Sequence, residues 1–156
     1  MSVHTVNFNE FSDNDYTLIG IHTTLSEYKL AYVLNKFLKV KFSRASFDLD
    51  FIQNKIQSLY TVYEYTDTEL DLNWYLISNV YKSTRKTTTT SLFEQSESST
   101  RLIKEKKKID FFLKLESGFD TNYILEIIDK INQMPQIITS YQLEVNTLKS
   151  KDFLIF

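Results

Sequence analysis

The sequence predicts a single α+β domain in two layers, with helices on one face of a mostly antiparallel sheet. Three observations carry this. Two stretches read as strand, helix, strand, and an aromatic stretch between them reads as a β-hairpin. Aromatic residues are abundant, with 12 Phe, 10 Tyr and 1 Trp in 156 residues, and large β-favouring side chains suit a sheet-rich core. A chain of this length buries roughly two thirds of its unfolded surface, enough for a core without cross-links.

The first unit opens with Leu18-Ile19-Gly20-Ile21-His22, a short apolar run expected to be a buried strand. Thr24-Leu25-Ser26-Glu27 has the spacing of a capping box, with Thr24 at the cap and Glu27 reaching back. Leu30, Ala31, Leu34, Phe37 and Leu38 then recur at helical spacing as one apolar stripe. Val40 to Phe47 reads as extended.

Between the units, Leu59 to Tyr65 is β-branched and aromatic, Thr66-Asp67-Thr68-Glu69 breaks it, and Asn73 to Tyr81 reads as the returning strand. Residues 83–106 are rich in Ser, Thr and Lys. They have few apolar groups to offset ordering entropy and are expected to form a mobile loop, with Leu92 and Phe93 as its only large apolar residues before Leu102.

The second unit starts at Ile109, where Phe111, Leu113 and Leu115 alternate with polar residues and Phe112 breaks the pattern. Asp120 is placed to cap a helix whose stripe is Ile124, Ile127, Ile128 and Ile131, and Pro135 ends it. Ile137 to Val145 is the last strand. Phe153-Leu154-Ile155-Phe156 is expected to dock on the core or to form an interface. Two such units can interleave in the ferredoxin-like pattern, an analogy of architecture that says nothing of function.

Composition excludes several chemistries. There is no Cys, so thiolate nucleophiles, disulfides and Cys-type zinc sites are out, and only His4 and His22 supply imidazole. Gly20 and Gly118 stand too far apart to form a phosphate-cradling loop. No metal site, cofactor or catalytic residue is predicted. The N-terminus lacks a basic segment followed by an apolar run, and no apolar stretch approaches the roughly 20 residues that span a bilayer, so a cytoplasmic location is expected. A net charge of −2 gives no overall attraction to nucleic acid or membrane.

Five residues are singled out as binding candidates. His22 ends a strand just before a helix N-terminus, where ligands often sit, although a backbone-bonded histidine is the plainer reading. Asn35 lies on the first helix and either lines a polar site or bonds neighbouring backbone. Trp74 lies with Tyr60, Tyr63, Tyr65 and Tyr75 in the hairpin, which forms a binding patch if one sheet face is uncovered and core otherwise. Glu105 and Asp110 flank a lysine cluster. They make a carboxylate pair or, more plainly, a loop entering a strand with Asp110 accepting backbone N–H bonds.

The order of several motifs resembles the bacterial IPExxxVDY family. Its signature is matched by Ile103-Lys104-Glu105-Lys106-Lys107-Lys108-Ile109-Asp110-Phe111, which departs from it at Pro (Lys104), Val (Ile109) and Tyr (Phe111). Leu18 to His22, Glu27 to Tyr32 with Leu34-Asn35, Trp74 with Ile77-Ser78-Asn79, and Lys149-Ser150-Lys151 with Leu154 and Phe156 also fit. The resemblance implies a small cytoplasmic protein without an assigned activity. Taken together, the residues favour a non-catalytic interaction or regulatory module that binds a protein partner or forms a homodimer. An RNA-associated accessory protein and a small-ligand sensor or enzyme with a pocket near His22 are the alternatives. Neither DNA nor membrane is expected as a partner.

Overall fold

A computed structural model describes residues 16–53, 55–86, 95–116 and 119–156. The expectations for His4, for the 87–94 stretch with Leu92 and Phe93, and for Gly118 lie outside the described residues.

The described chain is α+β, built on a mostly antiparallel sheet with two helices. Its ten strands are β1 (Tyr16–Thr23), β2 (Ser43–Arg44), β3 (Leu49–Gln53), β4 (Ile56–Tyr60), β5 (Val62–Asp67), β6 (Leu72–Ser78), β7 (Val80–Lys86), β8 (Gln95–Arg101), β9 (Phe111–Glu116) and β10 (Ile137–Leu143). The helices are α1 (Glu27–Leu38) and α2 (Thr121–Asn132). Six strands form the main sheet in the order β10-β1-β9-β6-β5-β2, and every neighbouring pair is antiparallel. β3–β4 and β7–β8 form separate two-stranded ribbons.

Both faces of the sheet are covered, which corrects the two-layer expectation. On one face, Ile19, Ile21, Trp74, Leu76, Leu113 and Leu115 pack against Leu30, Ala31 and Leu34 of α1 and Ile124, Ile127 and Ile131 of α2. On the other, Leu18, Ile77 and Phe112 pack under Leu49 and Tyr60 of the β3–β4 ribbon, Leu102, Ile103 and Ile109, and Val145, Leu148 and Leu154. This explains Phe112: the row opposite Leu113 faces a second core, so a polar residue is not required there. The final segment docks, with Leu154 fully buried and the Phe153 ring 4.6 Å from Phe51.

Several local expectations are corrected. The N-cap of α1 is Ser26, its side chain makes no capping bond, and Glu27 is the first helical residue, so the Thr24–Glu27 capping box does not form. Phe37 is 47% exposed and lies off the buried stripe. Only Ser43–Arg44 of the 40–47 stretch pairs as a strand. The 59–65 run is broken at Thr61, so that β4 joins one sheet and β5 another. Within 83–106, the flanks pair as the β7–β8 ribbon, with the Ser83 and Ser98 hydroxyls 2.7 Å apart across it, and Lys104–Lys106 forms a 3-10 turn. No helix among the described residues is long and apolar enough to cross a membrane.

Gly20 is set by a close approach. A Cβ there would lie 2.6 Å from Ile109 Cδ1 and 3.2 Å from its Cγ1, because Ile109 is seated directly over β1. Ile109 is itself buried and has little room to withdraw. Gly20→Ala is expected to destabilise the fold by about 1–3 kcal/mol through overpacking, read by urea denaturation.

Lys114 is buried in the outer face of β9. Its Nζ donates to the Leu154 carbonyl at 2.7 Å and lies 4.3 Å from the Phe156 ring centroid, 4.8 Å from Tyr16 and 5.6 Å from Tyr75. Desolvation lowers its pKa from the usual lysine value, and the nearby Glu116 pulls the other way without winning. A lysine whose folded pKa lies below its unfolded one carries its burial penalty in full while both states are protonated. The penalty fades as pH rises from the folded value to the unfolded one. The wild type should therefore gain stability relative to Lys114→Met as pH is raised towards the ordinary lysine value of about 10.4, measured by denaturation at each pH. A difference that does not change with pH would refute the assignment.

Candidate functional site

Residues 102–110 cross the end of β1 and are organised by Asn79. Its side chain is fully buried, accepts from the Ile103 amide at 2.8 Å, and donates to the Ile109 and Lys106 carbonyls at 2.8 and 3.1 Å. Its own backbone bonds Asp110 and Leu102. One amide side chain thus satisfies three backbone groups of a segment with little regular structure of its own. Asn79→Ala leaves all three groups without that partner and is expected to cost about 3 kcal/mol, with hydrogen exchange rising first at residues 103–109.

Asp110 sits where the β1–β9 ladder ends. Its amide donates to the Ile21 carbonyl, and its carboxylate accepts from the Thr23 amide at 3.0 Å, replacing the next rung of the ladder. Arg101 Nη1 is 3.9 Å from the other carboxylate oxygen and 3.4 Å from the Ile109 carbonyl. Both contacts are long for a guanidinium, which has five donors to satisfy.

Arg101 and Asp110 line a cleft of about 810 Å³ at this end of the sheet. Its walls come from the β1–α1 junction (Thr23 to Glu27), Leu59 and Thr61, Ser78, Val80, Tyr81 and Lys82, and the start of β9 at Phe111. Lys82 lines it and makes no hydrogen bond or ion pair among the described residues. Asp48, also on the wall, is already paired with Arg44. Thr61 Oγ1 is buried there without a partner among the described residues. The first turn of α1 opens onto the same space, and its free amides favour an anion.

The five sequence candidates are not brought together. Asp110 alone lines the cleft. His22 lies on the sheet face opposite the helices, with Nε2 3.1 Å from the Tyr141 hydroxyl and the two ring centroids 5.5 Å apart. Asn35 accepts from the Phe42 amide at 2.7 Å and donates to the Phe42 carbonyl at 3.0 Å, so its amide is committed to backbone. Trp74 is 1% exposed, edge-on to Phe42, Tyr65 and Phe119 beneath the helices, which removes it as a surface binding residue. Tyr63 and Tyr65 pack against the same helix-covered core, whereas Tyr60 and Tyr75 pack on the opposite face of the sheet.

Glu105 accepts from the Ser150 amide at 2.9 Å and hydroxyl at 3.1 Å. Desolvation works against its charge, but the bonds from Ser150 and the neighbouring backbone outweigh it and hold the carboxyl below its ordinary pKa. Two stretches that carry the family resemblance, 103–111 and 149–156, are therefore tied together here. Asn79, Arg101, Lys82 and Lys114 were not found from sequence. A polar side chain that serves a distant backbone leaves no periodic signal, and Arg101 closes a segment that reads as a loop.

The fold and this site define a class: an α+β domain with a polar, partly apolar cleft at one sheet end and no group of three His, Asp or Glu residues able to hold a metal among the described residues. No family model matches the chain, and no curated protein or solved structure matches it.

Proposed function

We propose that the chain is a non-catalytic interaction module whose binding surface is the cleft at the end of β1, and that its occupant is a segment of a protein partner bearing a carboxylate. The observation that carries this reading is Arg101: half-buried, long in both its contacts, and opening with Lys82 onto the cleft. A carboxylate matches the guanidinium fork and takes up the donors that Asp110 leaves unused. Leu25, Leu59, Val80 and Phe111 add apolar wall for flanking side chains.

Self-association by strand addition at β10 is less supported. Asn132 of α2 accepts from the Ser140 amide at 2.7 Å and donates to its carbonyl at 3.1 Å, occupying the outward backbone groups in mid-strand. A small-ligand sensor is the second reading, favoured by the cleft volume, which lies within the range typical of small-molecule pockets. Membership of the IPExxxVDY family and a ferredoxin-like layout belong to the same proposal. The quoted motifs support the first, and the antiparallel order β10-β1-β9-β6 with its two helices supports the second.

The test is affinity capture of the tagged full chain from its own cells, comparing wild type, Arg101→Glu and Lys36→Glu, with each variant shown to melt as the wild type does. One stoichiometric protein that disappears with Arg101→Glu and is kept with Lys36→Glu supports the reading. A partner set indifferent to Arg101 refutes it. A metabolite that stabilises the wild type and not Arg101→Glu in a thermal-shift screen selects the sensor instead.

A further inference from the structure

A second, separate surface lies on the outer corner of the fold. Lys104, Lys106, Lys107 and Lys108 line a hollow of about 420 Å³ together with Glu105, Ile109 and Tyr141. The Glu105–Ser150 bonds bring a second basic segment to the same corner, because Lys149 and Lys151 flank Ser150. Six of the 18 basic residues thus gather in one place on a chain whose net charge is −2. Glu105 at the centre keeps its negative charge while bonded to Ser150, so the lysines outnumber it but do not stand alone, with Asp152 and Glu144 as further exposed carboxylates nearby in sequence.

The aromatic member matters as much as the charge. Tyr141 is 40% exposed on β10 and lines the hollow, and its hydroxyl is held by His22 across the β1–β10 pair. A charged rim beside an oriented, accessible ring is the combination used to follow a phosphate backbone while stacking a base. A simple phosphate or a lipid headgroup has no use for the ring. We propose that this corner binds single-stranded nucleic acid, with the lysines on the phosphates and Tyr141 under a base. This differs from an aromatic hairpin surface, since Trp74 and Tyr60 are buried. It does not depend on the cleft or on Arg101.

The test is fluorescence anisotropy of the full chain with a labelled oligouridylate of about 12 nucleotides at several salt concentrations. Oligothymidylate is run in parallel, and inorganic polyphosphate serves as competitor. Lys107→Glu/Lys108→Glu should weaken binding by about tenfold and flatten the log–log salt slope by roughly 0.7 for each phosphate no longer neutralised. Tyr141→Ala should also weaken oligonucleotide binding about tenfold while leaving polyphosphate binding in place. Lys36→Glu/Lys130→Glu, with the same charge change on the helix layer, should leave most of the affinity. Binding of both oligonucleotides, or of either one alone, supports the proposal, and a preference for one identifies the strand chemistry it reads. It is overturned if no oligonucleotide binds at low salt, if polyphosphate competes equally and Tyr141→Ala changes nothing, or if the helix-layer variant loses as much as the corner variant.

Discussion

The seating of residues 102–110 over β1 is the constraint on which the rest of the structure depends. It needs a bare backbone at Gly20 for Ile109 to approach, and it needs the Asn79 side chain to satisfy a segment with few bonds of its own. Once seated, the segment closes the second core with Leu102, Ile103 and Ile109. It also fixes the start of β9 through the Asp110 amide and carboxylate. Its ends and its middle then deliver different chemistry to different places. Arg101 and Asp110 face the cleft, whereas Lys104 to Lys108 face the outer corner. A short stretch without regular structure therefore sets core, sheet end and both candidate surfaces together.

The cleft and the lysine corner make unlike demands on a partner. The cleft is a bounded space of mixed charge, with Asp48 paired to Arg44, Arg101 held loosely by Asp110, and Glu27 and Lys82 on the walls, so specificity there comes from the placing of those charges and the shape of the walls. The corner is open and predominantly basic, so attraction there is sensitive to salt. A partner that used both would be steered by the second and selected by the first.

Legibility in the sequence followed the range of the interactions. β1, both helices and β9 were visible because each carries a dense apolar run, a helical stripe or a near-strict alternation. The short edge strand β2 and the two ribbons were not. Val40 to Phe47 reads as a strand but pairs over only two residues, and the Phe42 backbone is bonded by Asn35. β7 and β8 were hidden because a largely polar ribbon has no hydrophobic period, and its pairing rests on backbone and hydroxyl bonds. Among the site residues, Asp110 and Asn35 were found with the right plain alternative, as partners of backbone. Trp74 likewise matches its plain alternative, core packing, because α1 and α2 cover its face of the sheet.

The two helices share a device whose reach extends past this one molecule. Asn35 and Asn132 each turn a primary amide against the backbone of a residue that follows their helix, at Phe42 and at Ser140, donating and accepting as a neighbouring strand would. A side chain that imitates the missing strand leaves the sheet margin with fewer open valences at that point. Cross-β stacking between copies needs those valences. The exposed Ile138 and Tyr141 beside Ser140 would otherwise make β10 a sticky template for fibril growth, and one asparagine per margin acts as the gatekeeper that a charged or proline residue supplies elsewhere.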